Sequence, residues 1–274
     1  MNRPQVLVNG REDNRVPVLD RGLHYGDGLF ETLAVCRGEP LLWERHRQRL
    51  ARGCARLGLP APDPERLRRE ARTLCRGRER GVLKILLTRG QASRGYACEP
   101  DTAPTRVLLW SEWPAHPAGC REQGVAVRWC ETRLSRNRRL AGIKHLNRLE
   151  QVLARAEWEG EYAEGLMRDD QGQVIEGVMS NVFLVRNGEL HTPDLSECGI
   201  EGVMRALVME RAARHGLAVS VGALTREDFL RAEEVFLTNS LIGVWPVRQI
   251  ENTILSMGPV SRRVMEWVQD GCCG

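Results

Sequence analysis

The stretch "LAGIKHLNRLEQVLARAE", Leu140 to Glu157, carries Lys144. Of the 40 Lys plus Arg residues in the chain only Lys84 and Lys144 are lysine, and the remaining 38 are arginine. A surface ion pair or a solvated helix face accepts arginine about as readily as lysine, so a lysine kept against that bias points to chemistry that needs an amine. A partly desolvated lysine amine can lose its proton and attack a carbonyl, whereas a guanidinium stays charged near neutrality. The functional reading of Lys144 is therefore a Schiff-base or general-base lysine. The plain reading is chance survival, with the amine decorating a helix expected over residues 146–158.

Outward from that stretch, composition bounds the rest. A chain of 274 residues builds one large domain or two modest ones without staples. A hydrophobic fraction of 42% with 28% charged residues describes an ordinary globular protein, and no apolar run reaches the length of a membrane helix. The opening "MNRPQVLVNG" lacks the layout of a secretory signal, so a cytoplasmic location is expected. The nine cysteines contain no C-x-x-C pair, which argues against a zinc site and for reduced thiols. The net charge of +4 is spread along the chain and aromatic residues make up 5%, so neither a basic arm nor a base-stacking surface for nucleic acid is present.

Apolar periodicity and turn residues outline the elements. "QVLVNGRE" reads as a strand with an Asn-Gly turn and "RVPVLD" as its partner, and "LFETLAVCRGEPL" reads as two strands around a glycine turn. Leu42, His46, Leu50 and Leu57 recur near helical spacing, and "PERLRREARTLC" opens a second helix with proline in its first turn. Strands follow in "VLKILLTRG" and "TRVLLWSEW", and the Pro- and Gly-bearing stretch after Pro114 reads as a connection. The division drawn is a smaller N-terminal domain over 1–116, a linker over 117–123 and a larger domain over 124–274 that carries Lys144. Further strands, with helices in "GVMRALVMERAARHGL" and near 260–268, complete two domains of α/β or α+β class.

Six segments in this order resemble the fold-type IV pyridoxal-phosphate enzymes, a family that includes D-amino acid and branched-chain aminotransferases and aminodeoxychorismate lyases. They are "DRGLHYGDGLFET" (20–32), "RHRQRL" (45–50), "GIKHLNRLEQV" (142–152), "EGVMSNVFLV" (176–185), "GIEGVMRALV" (199–208) and "VFLTNSLIGVWPV" (235–247). The resemblance spans nearly the whole chain, and "IKHLNRLEQV" points within the family to the lyases. It implies a two-domain fold, the cofactor pyridoxal 5'-phosphate, a small-molecule substrate, a homodimer, and elimination of pyruvate from aminodeoxychorismate to give 4-aminobenzoate. Branched-chain or D-amino acid transamination is the alternative. Those aminotransferases commonly place a tyrosine where this chain has Leu149, which counts against transamination.

The resemblance also assigns roles by position. Lys144 carries the cofactor covalently, which only an amine can do. Glu176 partners the pyridine nitrogen, where a carboxylate favours the protonated, electron-withdrawing ring. Arg49 binds the phosphate, together with the backbone at Val203 and Met204 and with Asn239 and Ser240. A turn capped by Asn239 and Ser240 is an equally physical reading of that pair. Arg89 and Arg94 in "TRGQASRGY" are candidates for a substrate carboxylate, or else part of a polar surface loop. His24 and Tyr25 are expected to face the cofactor pocket.

Overall fold

The computed structural model describes residues 5–98 and 102–272. They form two compact units: the described residues up to Pro114 together with Ile143–Asn147, and Ala115–Gly142 together with Arg148–Cys272.

The first unit contains β1 (Val6–Val8), β2 (Arg11–Glu12), α1 (Arg21–Tyr25), β3 (Gly28–Cys36), β4 (Glu39–Pro40), α2 (Trp43–Leu57), α3 (Pro64–Cys75), β5 (Arg80–Thr88) and β6 (Thr105–Ser111). The strands form one antiparallel sheet in the order β2-β1-β6-β5-β3-β4. Strand alternation sends Leu29, Leu33 and Val35 of β3, and Leu83, Ile85 and Leu87 of β5, into the core. On α2 the buried positions Trp43, His46, Arg49, Leu50, Gly53 and Cys54 follow the helical repeat, and that face packs on β3. Asp63 caps α3 by accepting Arg66 N–H at 2.7 Å, with Pro64 in the first turn.

The second unit contains β7 (Val125–Leu134), α4 (Leu149–Arg155), β8 (Glu164–Asp169), β9 (Val174–Gly177), β10 (Asn181–Arg186), β11 (Glu189–Pro193), α5 (Val203–Arg214), β12 (Val219–Gly222), α6 (Arg226–Leu230), β13 (Glu234–Asn239), β14 (Gly243–Ile250), β15 (Thr253–Ile254) and α7 (Pro259–Trp267). Its mixed sheet runs β12-β11-β10-β13-β14-β7-β8-β9, with β15 on β14. The core gathers Val127 and Trp129 of β7, Leu166 of β8, Val182 and Leu184 of β10, Leu237 of β13, Val247 of β14 and Phe229 of α6. Among the described residues no helix is long and apolar enough to cross a membrane.

Three local expectations differ from the structure. "RVPVLD" forms no strand: Asn9 and Gly10 take positive φ, and their two-residue turn pairs Val8 with Arg11 and Leu7 with Glu12, which exhausts β1. The helix after Lys144 begins at Leu149 and not at Leu146. Residues Ile143–Asn147 are drawn instead into the first unit, away from the 124–274 domain to which the linear division gives Lys144. The cause is backbone pairing with β3: Phe30 N–H donates to Lys144 O at 2.9 Å, Leu146 N–H donates to Gly28 O at 3.0 Å, and Leu29 bridges His145. Within the 117–123 stretch Gln123 N–H closes a turn on Gly119 O, and Cys120 packs into the second unit's core.

Candidate active site

In the first unit the segment bearing Lys144 lies along β3. Lys144 is half-buried, and its Nζ stands 4.4 Å from the centre of the Phe30 ring. The register pairs Thr32 with Lys84, on the same sheet face as Phe30, and Lys84 Nζ stands 5.3 Å from that same ring. The two lysines of an arginine-dominated chain, 60 positions apart in sequence, thus share one aromatic neighbour.

On the opposite face of β3, Glu31 is 1% exposed. Its carboxylate accepts Arg49 Nε at 2.9 Å and Nη2 at 2.5 Å, and His46 Nδ1 lies 2.6 Å from Oε2. Burial alone would raise Glu31; the attraction of Arg49 and the hydrogen bonds from Arg49 and His46 outweigh it and hold the carboxyl down at about 2. Burial pushes His46 down against the pull of Glu31, so its neutral ring donates Nδ1–H to the carboxylate. Arg49 therefore sits buried in a fixed orientation on α2 rather than among the solvated arginines of that helix. The sequence assigns Glu31 no role and His46 only a place in the helical repeat of α2, although a signal exists. An acidic residue at an inward position between Leu29 and Leu33 requires a buried partner.

The arginines of the loop after β5 divide. Arg89 donates Nε and Nη2 to Asp27 at 2.7 and 3.1 Å, and Nη1 and Nη2 to the carbonyls of Gly58 and Leu57, both at 2.8 Å. All four contacts tie it to the chain, which makes Arg89 a cross-link at the end of α2. Arg94 is exposed. Its loop is held by Arg21, 4% exposed, whose Nε donates to Asp27 at 2.9 Å while Nη1 and Nη2 reach the carbonyls of Gly95, Ala97 and Tyr96. Burial would raise Asp27, but hydrogen bonds from Arg89 and Arg21 hold it below its usual range. Tyr25 lies under the Arg21 guanidinium and 5.3 Å from the Tyr96 ring. His24 is exposed and donates Nε2–H to Val18 O at 2.7 Å.

In the second unit Glu176, 3% exposed, lies in β9, and its Oε2 accepts Ile200 N–H at 2.8 Å. Arg148 is pushed down by burial and back up by the nearby charges of Glu176 and Glu150. Asn181 Nδ2 donates to Ile200 O at 2.9 Å, so Glu176 and Asn181 grip one residue by its two backbone groups. Two residues on, Gly202 precedes α5 as its N-cap and provides no side-chain cap. A Cβ at Gly202 would collide with Asn181 Oδ1, so the approach of Asn181 requires glycine there. Val203 and Met204 form the first turn of α5, where unpaired N–H groups and the helix dipole favour an anion. Asn239 takes the turn role: its Oδ1 accepts Leu241 and Ile242 N–H at 2.8 and 2.9 Å, and its Nδ2 donates to Met179 O at 3.1 Å. Ser240 is half-buried in that turn.

The family model described as Amino-transferase class IV matches residues 28–250. An aminodeoxychorismate lyase of Vibrio harveyi is 38% identical over 262 residues, covering 94% of this chain and 97% of that protein. Among solved structures, 4-amino-4-deoxychorismate lyase from Pseudomonas aeruginosa matches with a TM-score of 0.93 and 47% identity over 97% of this chain and 98% of that one. The branched-chain amino acid aminotransferase of Escherichia coli matches with a TM-score of 0.84 and 25% identity over 97% of this chain and 93% of that one.

Proposed function

Because this chain belongs to the amino-transferase class IV family, we propose that it binds pyridoxal 5'-phosphate and cleaves 4-amino-4-deoxychorismate to 4-aminobenzoate and pyruvate. The observation that carries the choice of reaction is the similarity to two lyases at 38% and 47% identity over nearly the whole chain, against 25% for the aminotransferase. The donor set suits the cofactor. An amine is present for its aldehyde, a buried guanidinium and a helix start without a side-chain cap suit its phosphate, and a buried carboxylate suits its ring nitrogen.

When bound, pyridoxal phosphate supplies an electron sink for negative charge on the amine-bearing carbon. Lys144 Nζ removes the proton from that carbon of the substrate. Glu176, oriented by Ile200 N–H, would favour a proton on the cofactor's ring nitrogen. In the first unit Arg49, aimed by Glu31 and His46, would suit the phosphate, and in the second the start of α5 at Val203 and Met204 would suit the same anion. With the proton gone from the amine-bearing carbon, the bond from the neighbouring carbon of the substrate to the enolpyruvyl oxygen breaks, and the departing enolate takes up a proton to become pyruvate. The six-membered ring becomes aromatic, so the sum balances with no added reactant.

The substrate's carboxylates suit a cationic partner, and Arg94, exposed on its loop, is proposed as one. Tyr25 borders the loop that carries Arg94 through the Tyr96 ring, and His24 packs edge-on against Tyr25. Arg94→Ala is expected to raise KM about ten- to a hundredfold with cofactor retention unchanged, the loss of one charge-assisted contact. Arg89→Ala is expected to lower Tm instead. Steady-state kinetics and thermal melts of both variants separate the roles, and a KM effect confined to Arg89→Ala would reverse them.

The protein is further proposed to act as a homodimer in the cytoplasm. Leu149, Val152 and Leu153 expose an apolar stripe on α4 that a second copy suits, and the described cysteines are free thiols that suit a reducing compartment. The reaction itself is tested by incubating the cofactor-loaded protein with aminodeoxychorismate and no keto acid. Equal amounts of 4-aminobenzoate and pyruvate over many turnovers are expected. Dominant transamination of leucine or D-alanine with 2-oxoglutarate, and no 4-aminobenzoate, would replace the lyase with the aminotransferase.

A further inference from the structure

Glu164 opens β8 and is 2% exposed. Its Oε1 accepts Gly165 N–H at 3.0 Å, while Oε2 accepts Met179 N–H at 3.0 Å and the Ser180 hydroxyl at 2.9 Å. Among the described residues no cation pairs with it, so burial dominates and raises the carboxyl to about 7, with the hydrogen bonds from Gly165, Ser180 and Met179 pulling the other way. A buried ionisable group without a counter-charge is costly, and what this one provides is a set of directed contacts to a single turn.

That turn joins Glu176 to Asn181. It is closed by Gly177 N–H on Ser180 O at 2.6 Å and anchored to β8 by Val178 N–H on Gly165 O at 2.9 Å. Gly177 passes so close over Glu164 that a Cβ there would lie 3.1 Å from the carboxyl carbon and collide with Ser180 Oγ. The two ends of the turn are the residues that grip Ile200, Glu176 by its N–H and Asn181 by its C=O. Glu164 thus supports the turn, the turn spaces Glu176 and Asn181, and those two place the segment that leads into α5.

We infer that Glu164 is a positioning residue of the cofactor site, fixing the Gly177–Ser180 turn so that Glu176 and the start of α5 keep their places. The inference rests on the assignment of Glu176 to the cofactor's ring nitrogen. Glu164→Gln keeps the shape but replaces one accepting oxygen with a donor among donors.

The test uses the dimension that a purely structural role leaves unmoved. Apoprotein variants are titrated with pyridoxal phosphate, and both the dissociation constant and the pH midpoint of the bound cofactor's visible absorbance are measured. Glu164→Gln is expected to weaken binding about tenfold, the size of one or two directed hydrogen bonds, and to displace the midpoint. In a Glu176→Gln background the same change is expected to add less than about twofold, because the residue it acts through is already altered. Ser180→Ala, which removes one contact and leaves Glu164 in place, is expected to move both quantities in the same direction by less, and it tests the inference even where Glu164→Gln folds poorly. Equal effects of Glu164→Gln in both backgrounds, or an unmoved midpoint in Glu164→Gln and Ser180→Ala, would overturn the positioning role. A Glu176→Gln protein with unchanged affinity and midpoint would instead remove the Glu176 assignment, and this inference with it.

Discussion

Lys144→Arg is expected to keep the positive charge beside Phe30 and to lose both the covalent hold on the cofactor and nearly all turnover. A guanidinium cannot condense with an aldehyde or take the substrate's proton near neutrality, and proton transfer alone is worth roughly 10²–10⁴ in rate. The structure sharpens the control. Lys84 Nζ lies 5.3 Å from the ring that Lys144 Nζ approaches to 4.4 Å, so position alone leaves two amines in play. Borohydride reduction of the loaded wild type followed by peptide mapping should put the pyridoxyl label on Lys144, and Lys144→Arg should carry none. A label on Lys84 would transfer the role to it.

The second large effect belongs to Glu31. Glu31→Ala leaves the Arg49 guanidinium, 6% exposed, without its carboxylate, and breaking such a buried pair costs about 3–5 kcal/mol. Tm should fall by on the order of 10 °C, and pyridoxal phosphate retention should fall with it, because Arg49 loses the two bonds that aim it. The pH dependence has a definite sign. Glu31 is held down at about 2 against an ordinary value of 4.5, so its contribution is complete above about pH 4.5 and is lost as pH falls toward about 2. Thermal melts of wild type and Glu31→Ala across that window should converge at the acid end. A gap that stays constant with pH would show that the pair contributes nothing through charge.

Much of this was legible in the residues. The amphipathic repeat of α2 and the Asp63-Pro64 start of α3 are local features, written in side chains a few positions apart. The Asn9-Gly10 turn is equally plain, yet its strand partner is not "RVPVLD". The turn dictates pairing only with the residues that flank it, and Arg11–Glu12 took the place assigned to "RVPVLD". The helix following Lys144 was placed three residues early for a different reason. Residues 143–147 exchange helical hydrogen bonds for bonds to β3, more than a hundred positions away, and helix propensity contains no record of that competition.

The arginines make the same distinction at the level of chemistry. Arg49, Arg89 and Arg94 are identical side chains; a motif marks the first as an anion binder, and a Gly-rich loop makes the other two candidates for one or else surface residues. One is buried on Glu31, 18 positions away; one is tied to Asp27, 62 positions away, and to two carbonyls at the end of α2; one stands exposed on its loop. What the sequence determined by itself was the kind of chemistry: one amine kept where arginine prevailed, an acid in "EGVMSN", and an ordered set of motifs, all carried by residue identity and short spacing. Only the tertiary structure decided which charged groups are consumed in holding the fold and which remain for a ligand. A hydrogen bond depends on distance and angle in space, and those follow from strand register and helix packing between segments that the sequence keeps far apart.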